Sequence, residues 1–410
     1  MKNFLMFFLL FVLIFNGLTA QKEATNNYKR SSLYSVLLVD NATKMSTEII
    51  NSFLQLPVPD KFNNHNLSLR YIVTSEKEQK NRKLEDQVSE FIVQNQIAQR
   101  MVSKWFNRDK KDGSFNLNTI IERGNYNASM ADINQALKTV RGLAMLSDAG
   151  EQLIGHSFVI VNNITYVDKE QSSQKSIANF NAFANKYGGS VTTAMNFRWG
   201  GPGVYDLISG FKVRVNTYLY RLEWNDEIAN TFYSLYYFDK SNIDASKKQA
   251  YENDKDLFKL SYVGSVTTTS DKAVIIGLHK PKELFCKVLA RAIDKNVVAL
   301  QKKFDEFKVV VPIYKVQDNN VMVQIGLKEG VSADSRYEVL EAVEDANGKI
   351  TYVRKGIIKP VEKKIWDNRY MAVEEAAANA NLNYTTFEVV SGTGFYPGML
   401  VREIKYTSGM

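Results

Sequence analysis

The chain has 410 residues, 45% hydrophobic and 23% charged, which excludes wholesale disorder and a fibrous repeat and fits two or three domains. Lys and Arg number 52 against 44 for Asp and Glu, a formal charge of +8. One cysteine and three histidines exclude an intrachain disulfide framework, a Cys-based zinc site and an iron–sulfur cluster within one chain.

Residues 1–20 read as a secretory signal peptide. Lys2 supplies the positive start, Phe4 to Phe15 is unbroken apolar sequence, and Gly17-Leu18-Thr19-Ala20 ends on a small residue. The apolar run is shorter than the roughly 20 residues a membrane span needs. Cleavage after Ala20 makes Gln21 the new N-terminus and lowers the side-chain charge from +8 to +7. No later segment approaches a second span, and no regular series of alternating strands suggests an outer-membrane barrel. The expectation is an exported, soluble protein of the periplasm or cell envelope.

In the next segment the pattern predicts a strand over Leu33–Val39, closed by Asp40-Asn41. Ser46 can cap a helix carrying Ile49, Ile50, Phe53 and Leu54, which Pro57 and Pro59 end. Leu67–Val73 suits a short extended piece. Leu84, Val88, Phe91, Ile92, Met101, Val102, Trp105 and Phe106 recur at helical intervals and predict one long helix, broken by Asp112-Gly113. Ser129 can cap a further helix over Met130–Leu146.

The period then changes. Phe158–Val167 reads as a strand, and Ser176–Tyr187 as a short helix ending at Gly188-Gly189. Phe211–Trp224 alternates as FKVRVNTYLYRLEW, with a shift of phase near Thr217 that a bulge would explain. One buried and one solvated sheet face account for its mix of aromatic and basic residues. Thr231–Phe238 reads as another aromatic strand, and Leu260–Thr269 and Ala273–Leu278 as two extended pieces. Lys280-Pro281 opens a long helix through Leu284, Val288, Leu289, Ala292, Ile293, Val297, Leu300 and Phe304. The alternation predicts a mixed α/β body over 33–305, with a sub-boundary near 188–203.

From Lys308 the composition turns β-like. Strands are expected at Val309–Gln317, Val321–Ile325, Arg336–Val343, Lys349–Arg354, Tyr370–Val373, Thr385–Val390 and Met399–Ile404. Asp318-Asn319-Asn320 joins the first pair, and Asn347-Gly348 is a hairpin signal. Gly326 and Gly330 suit left-handed turn positions, and Pro397-Gly398 suits the centre of a type II turn. Short strands at this density predict a small barrel over 308–405. The fold class is therefore α+β, an α/β body followed by a small barrel.

The order long helix, VVVPIYKV, NVMVQIGLKEGV, SRYEVLEA, FYPGMLVRE resembles the SH3-like barrel that ends the flagellar T-ring assembly protein family. Related modules accompany TolB-like and curli-secretion-like α/β domains, which the body resembles in its alternation and its long final helix. Gly326, Glu329, Gly330 and Val331 match the family's Gly-x-x-(Asp/Glu)-Gly-Val turn. Pro397, Gly398 and Val401 match part of a later Pro-Gly-Asp-x-Val turn, with Met399 at the family's acidic position. The resemblance covers about 100 residues and rests on turns, so it implies fold more than function.

Sequence motifs offer little chemistry. The chain has no phosphate-loop, His-Glu-x-x-His or Gly-x-Ser-x-Gly motif, and His65, His156 and His279 lie far apart. Cys286 sits in an apolar helical pattern and reads as a small core side chain. Arg198-Trp199-Gly200-Gly201-Pro202-Gly203 reads as a connecting loop or an anion-holding one. Asp40 can cap a turn or act as an acid.

These observations favour a non-catalytic envelope protein that assembles or scaffolds other proteins, without a cofactor or metal. Its expected partners are envelope proteins, with a homo-oligomer and peripheral membrane association left open and nucleic acid set aside. The expected partner-binding residues are Arg198, Trp199, Gly203, Tyr218, Tyr220, Tyr236 and Tyr237. The alternatives are an exported hydrolase using Asp40, His156 or His279 between domains, and a carbohydrate- or peptide-binding module stacking ligand on Trp199, Trp224 or Trp366.

Overall fold

The computed structural model describes residues 31–40, 46–57, 59, 61–74, 83–120, 122, 153–168, 208–275, 281–344, 350–373 and 377–404. Arg198, Trp199, Gly203, His279, Asn347 and Gly348 lie outside these residues, as do the segments 1–20, 130–146 and 176–187.

The first sheet is built on β1 (Ser31–Asp40). Here β2 (Phe62–Asn64) and β3 (Tyr71–Thr74) run parallel to successive halves of one edge of β1. On the other edge β4 (Ser157–Asp168) is also parallel, followed by β5 (Ile208–Leu222) and β6 (Leu260–Ile275), each antiparallel to its neighbour.

The sequence of β1 explains its place at the centre. Leu33, Leu37 and Val39 enter one hydrophobic layer, and Tyr34, Val36 and Leu38 enter the other. A strand apolar on both faces must be covered on both. On the first face lie α1 (Ser46–Gln55), through Ile49 and Phe53, and the long closing helix through Phe285, Leu289 and Leu300. On the second lie α2 (Leu84–Gln94) and α3 (Ile97–Trp105), through Val88, Ile92, Met101 and Trp105.

Several expectations change here. The single helix over 84–106 is two, because Gln96 takes a left-handed conformation (φ 50°) that re-aims the chain before Ile97. In β5 no phase shift occurs at Thr217. Val213, Val215, Thr217 and Leu219 are buried on the first face, while Tyr218, Tyr220 and Leu222 are buried on the second. The irregularity is two residues later and belongs to β6, where Leu219 faces Gly264 and Tyr220 faces Tyr262, leaving Val263 as the extra residue. Glycine at 264 allows the Phe304 ring to lie against the strand, since a Cβ there would be 2.2 Å from Cζ. The two extended pieces beyond residue 260 form one continuous strand.

Thr231–Phe238 is not a strand. Asn225 accepts the Ile228 N–H at 2.9 Å and starts α4 (Asp226–Thr231), which widens into a π-helical turn at Phe232–Tyr236. Phe232 then meets Phe106, Phe115, Tyr251 and Phe258 in an aromatic cluster. Burial of those rings overrides their β preference. The polar helix α5 (Ala245–Asn253) adds Tyr251 to the cluster.

The closing helix α6 (Pro281–Lys303) leads into six strands, β7 (Val310–Gln317), β8 (Asn320–Val323), β9 (Arg336–Glu344), β10 (Ile350–Pro360), β11 (Thr385–Gly392) and β12 (Leu400–Ile404). They pair in the ring β10-β11-β8-β7-β12-β9, a closed barrel with its own core around Ile313, Val323, Tyr337, Val339, Ile358 and Phe387. Asp318 and Asn319 both take positive φ, which gives the β7–β8 hairpin its tight turn.

The expected turn residues divide by mechanism. Gly330 has φ +79°, whereas Gly326 is extended and is needed because a Cβ would be 2.3 Å from the Trp366 carbonyl. Glu329 ties that turn by accepting the Gly326 N–H and the Asn368 amide, each at 2.7 Å. Gly398 has φ +95° after Pro397, as a type II turn requires. Met399 is fully buried in the barrel core, so the position resembling an acidic one serves packing here. Tyr370–Val373 is a turn, not a strand, with Met371 at φ 57° and the Tyr370 carbonyl accepting from Arg291 of α6.

Candidate functional site: a tyrosine-lined groove

On the second face of the sheet, a groove is lined by α2, α3 and the start of β6. It has a volume of about 370 Å³. Ile92, Val93 and Ile97 form one wall, Phe258, Leu260 and Tyr262 the other, and Tyr220 the floor. The elements explain the arrangement. Gln96 turns the chain between α2 and α3, and the extra residue Val263 shifts the register of β6 beside Tyr262.

The groove is apolar inside and polar at its rim. Val93 is 70% exposed and Tyr262 47%, both large values for apolar or aromatic side chains. Tyr220 lies 5.4 Å from Tyr262, ring to ring, and its hydroxyl is 3.2 Å from Ser89 Oγ. Glu223, Asp254, Asp256, Lys255 and Lys259 supply charges of both signs. Ser261 donates to Glu223 at 2.5 Å, and Asp254 accepts the Asp256 and Leu257 N–H groups.

Burial holds the phenols of this region in their neutral form. Burial, reinforced by Glu85 and the neighbouring tyrosines, pushes Tyr218 up to about 12. Burial also raises Tyr220, against the opposing effect of its Ser89 hydrogen bond. Both phenols are neutral at ordinary pH and act as hydrogen-bonding, packing groups. Next to the groove, β6 is 16 residues long and pairs with β5 on one side only, among the described residues. Among the described residues no strand covers its outer edge, which carries backbone N–H and C=O groups, with the Ser265 carbonyl accepting from Lys303 at 3.2 Å.

The expected site residues fare unevenly. Tyr220 reaches the groove floor although it is 98% buried, and Tyr218 is buried beneath α2 without lining the groove. Both were expected on a surface and instead fill the space between sheet and helices. Tyr236 packs on Tyr251 at 5.8 Å and Tyr237 on Phe115 at 6.1 Å, so these half-buried rings complete the aromatic cluster. Val93 and Tyr262 were missed. Val93 stands off the apolar stripe of α2, and that departure is the available signal.

The competing constellations are not assembled by the described residues. The side chain of Asp40 and all of His279 fall outside them, and His156 lines a different cavity, of about 330 Å³, with Lys61, Glu306 and Arg402. His65 is a core residue, with Nε2 3.0 Å from the Met101 carbonyl and its ring 5.6 Å from Trp105. Cys286 donates to Ser52 Oγ at 3.0 Å between α6 and α1. Trp224 is half-buried against Phe106 and Phe232, and Trp366 is half-buried in the barrel, so neither is an exposed platform. Among the described residues, no group of three or more His, Cys, Asp or Glu is placed to hold a metal, and no helix is long and apolar enough to cross a membrane. No family model and no curated protein matches the chain.

Proposed function

We propose that the chain is an exported, non-catalytic cell-envelope protein that acts in assembly or scaffolding, by taking an extended segment of a partner protein. The observation that carries this reading is the continuity of the tyrosine-lined groove with the outer edge of β6. An extended segment supplies backbone groups to that edge and places a side chain in the groove, the pattern of strand addition. The contact would centre on Val93, Tyr220 and Tyr262, with the mixed charges around them setting register. The terminal barrel is read as SH3-like, of the kind seen in the flagellar T-ring assembly protein family, which supports a role in assembly. The apolar N-terminal segment supports export to the periplasm or envelope.

The test is quantitative co-purification from native envelopes. The wild-type chain should recover a stoichiometric partner or further copies of itself, and a Val93→Asp/Tyr262→Asp variant should lose that protein while keeping its fold. Recovery of the same proteins by both would overturn the assignment. Cell fractionation with N-terminal sequencing tests export, for which a chain beginning at Gln21 is expected.

A further inference from the structure

We infer that the outer edge of β6 pairs with the same edge of a second copy of this chain, joining two sheets into one across a two-fold axis at Thr267. The inference rests on the proposed reading of this edge as a place for strand addition, and it names the strand that is added. Residues 260–270 read LSYVGSVTTTS and contain no charged residue. Edge strands that stay unpaired are blunted by charged side chains, proline, bulges or short length. In contrast, β6 is 16 residues long and has no proline.

Two features guard the edge in part. The extra residue Val263 interrupts the register, but it precedes residues 265–269, which pair regularly with β5. Lys303, at the end of α6, donates to the Ser265 carbonyl at 3.2 Å. Its side chain is exposed and flexible, so the ammonium can turn to water when a strand arrives. On the first face of the sheet Val263, Val266 and Phe304 are only partly buried, and a strand added beside them gives their open side a neighbour.

The absence of charge favours a second copy as the occupant. In an antiparallel pair about a two-fold axis, any charge near the axis meets its own kind, and like charges directly opposite destabilise a sheet. The Ser265 carbonyl points outward, so Thr267 and Thr269, at alternate positions of the same strand, present their backbone groups the same way. An axis at Thr267 sets that residue against itself, Val266 against Thr268 and Ser265 against Thr269. The pairing forms about six backbone hydrogen bonds, with β-branched side chains at its centre. The two Lys303 contacts fall at opposite ends of the paired stretch, roughly 14 Å apart along it. That exceeds the roughly 8–10 Å over which charges act at ordinary salt.

The experiment follows the full chain by sedimentation velocity over a concentration series, beside Thr267→Lys and Thr165→Lys variants whose folding circular dichroism checks. Thr267 and Thr165 are both exposed, and Thr165 lies on β4, away from the edge. We expect a concentration-dependent dimer that Thr165→Lys retains and Thr267→Lys weakens at least tenfold, because it sets two ammonium groups face to face on the axis. Nitroxide labels on Thr267→Cys and Thr269→Cys, each with Cys286→Ser, read the register without added charge. Dipolar broadening should be stronger at 267 than at 269. A monomer at every concentration, equal behaviour of the two lysine variants, or broadening at 269 as strong as at 267 overturns the self-pairing. The proposed function fails separately. A monomer that still recovers a different protein, lost in Val93→Asp/Tyr262→Asp, keeps strand addition and removes the second copy as its source. A dimer lost in Thr267→Lys and kept in Val93→Asp/Tyr262→Asp upholds the edge pairing and removes the groove from the contact.

Discussion

Replacing Glu338 by Gln removes the carboxylate that ties the barrel's closing seam. Glu338 stands on β9, and its side chain is 3% exposed. Arg354 of β10 reaches Oε2 and Arg402 of β12 reaches Oε1, each through Nε at 2.7 Å with a second nitrogen alongside. One carboxylate thus clasps the three adjacent strands β10, β9 and β12. Burial raises its pKa, and the two guanidiniums outweigh that effect and hold it below the ordinary glutamate value.

A charge-assisted hydrogen bond contributes about 1.5–3 kcal/mol. The arginines are 56% and 43% exposed and recover water when released, so we discount the whole clasp to about 2 kcal/mol. Hydrogen exchange of β9 and β12 amides in the full chain reads that loss as opening about 30-fold more frequent at pH 7. The sign with pH follows from the lowered carboxylate. Its stabilisation is present above the unfolded-state value of about 4.3 and is lost as pH falls through the lower folded value. The difference between wild type and Glu338→Gln should therefore shrink at the acid end. A change in opening below threefold at pH 7, or a difference that persists unchanged into acid, would refute the clasp.

Other substitutions probe the body. Asn296→Ala removes the buried donor to the Val215 carbonyl and Thr217 Oγ1, at 2.8 and 2.6 Å, and should cost about 1–3 kcal/mol in urea denaturation. Gly264→Ala sets a methyl group against the Phe304 ring and should cost about 1–3 kcal/mol, recovered in part by Phe304→Leu in the same chain. Tyr220→Phe removes the hydroxyl beside Ser89 and should cost about 0.5–1.5 kcal/mol while leaving far-ultraviolet circular dichroism unchanged.

Much of the architecture follows from local pattern. The apolar run of β1, the amphipathic pattern of α1, the alternation of β4 and the Pro-initiated α6 each match a simple period, and the elements form where that period predicts. The aromatic run at 231–238 misleads because ring burial is decided by residues far away, Phe106 and Phe115 among them. Thr217 misleads for a related reason. A threonine on a buried face looks like a break in phase, and only the fold supplies Asn162 and Asn296 as its partners. The Gln96 break carries no glycine or proline to mark it.

The candidate groove was legible only in part. Tyrosine enrichment in β5 points to the right strand, but burial depends on whether a helix covers that face, and α2 does. Val93 and Tyr262 come together across 169 residues of chain through the register of β6, which no local pattern encodes.

The most direct test of the groove as a recognition surface is site-specific photocross-linking in cells. A photoreactive residue at Tyr262 should trap one protein in a discrete adduct, and the same residue at Val353, exposed on the barrel, should not trap it. Equal trapping from both positions, or no adduct from Tyr262, would contradict the account.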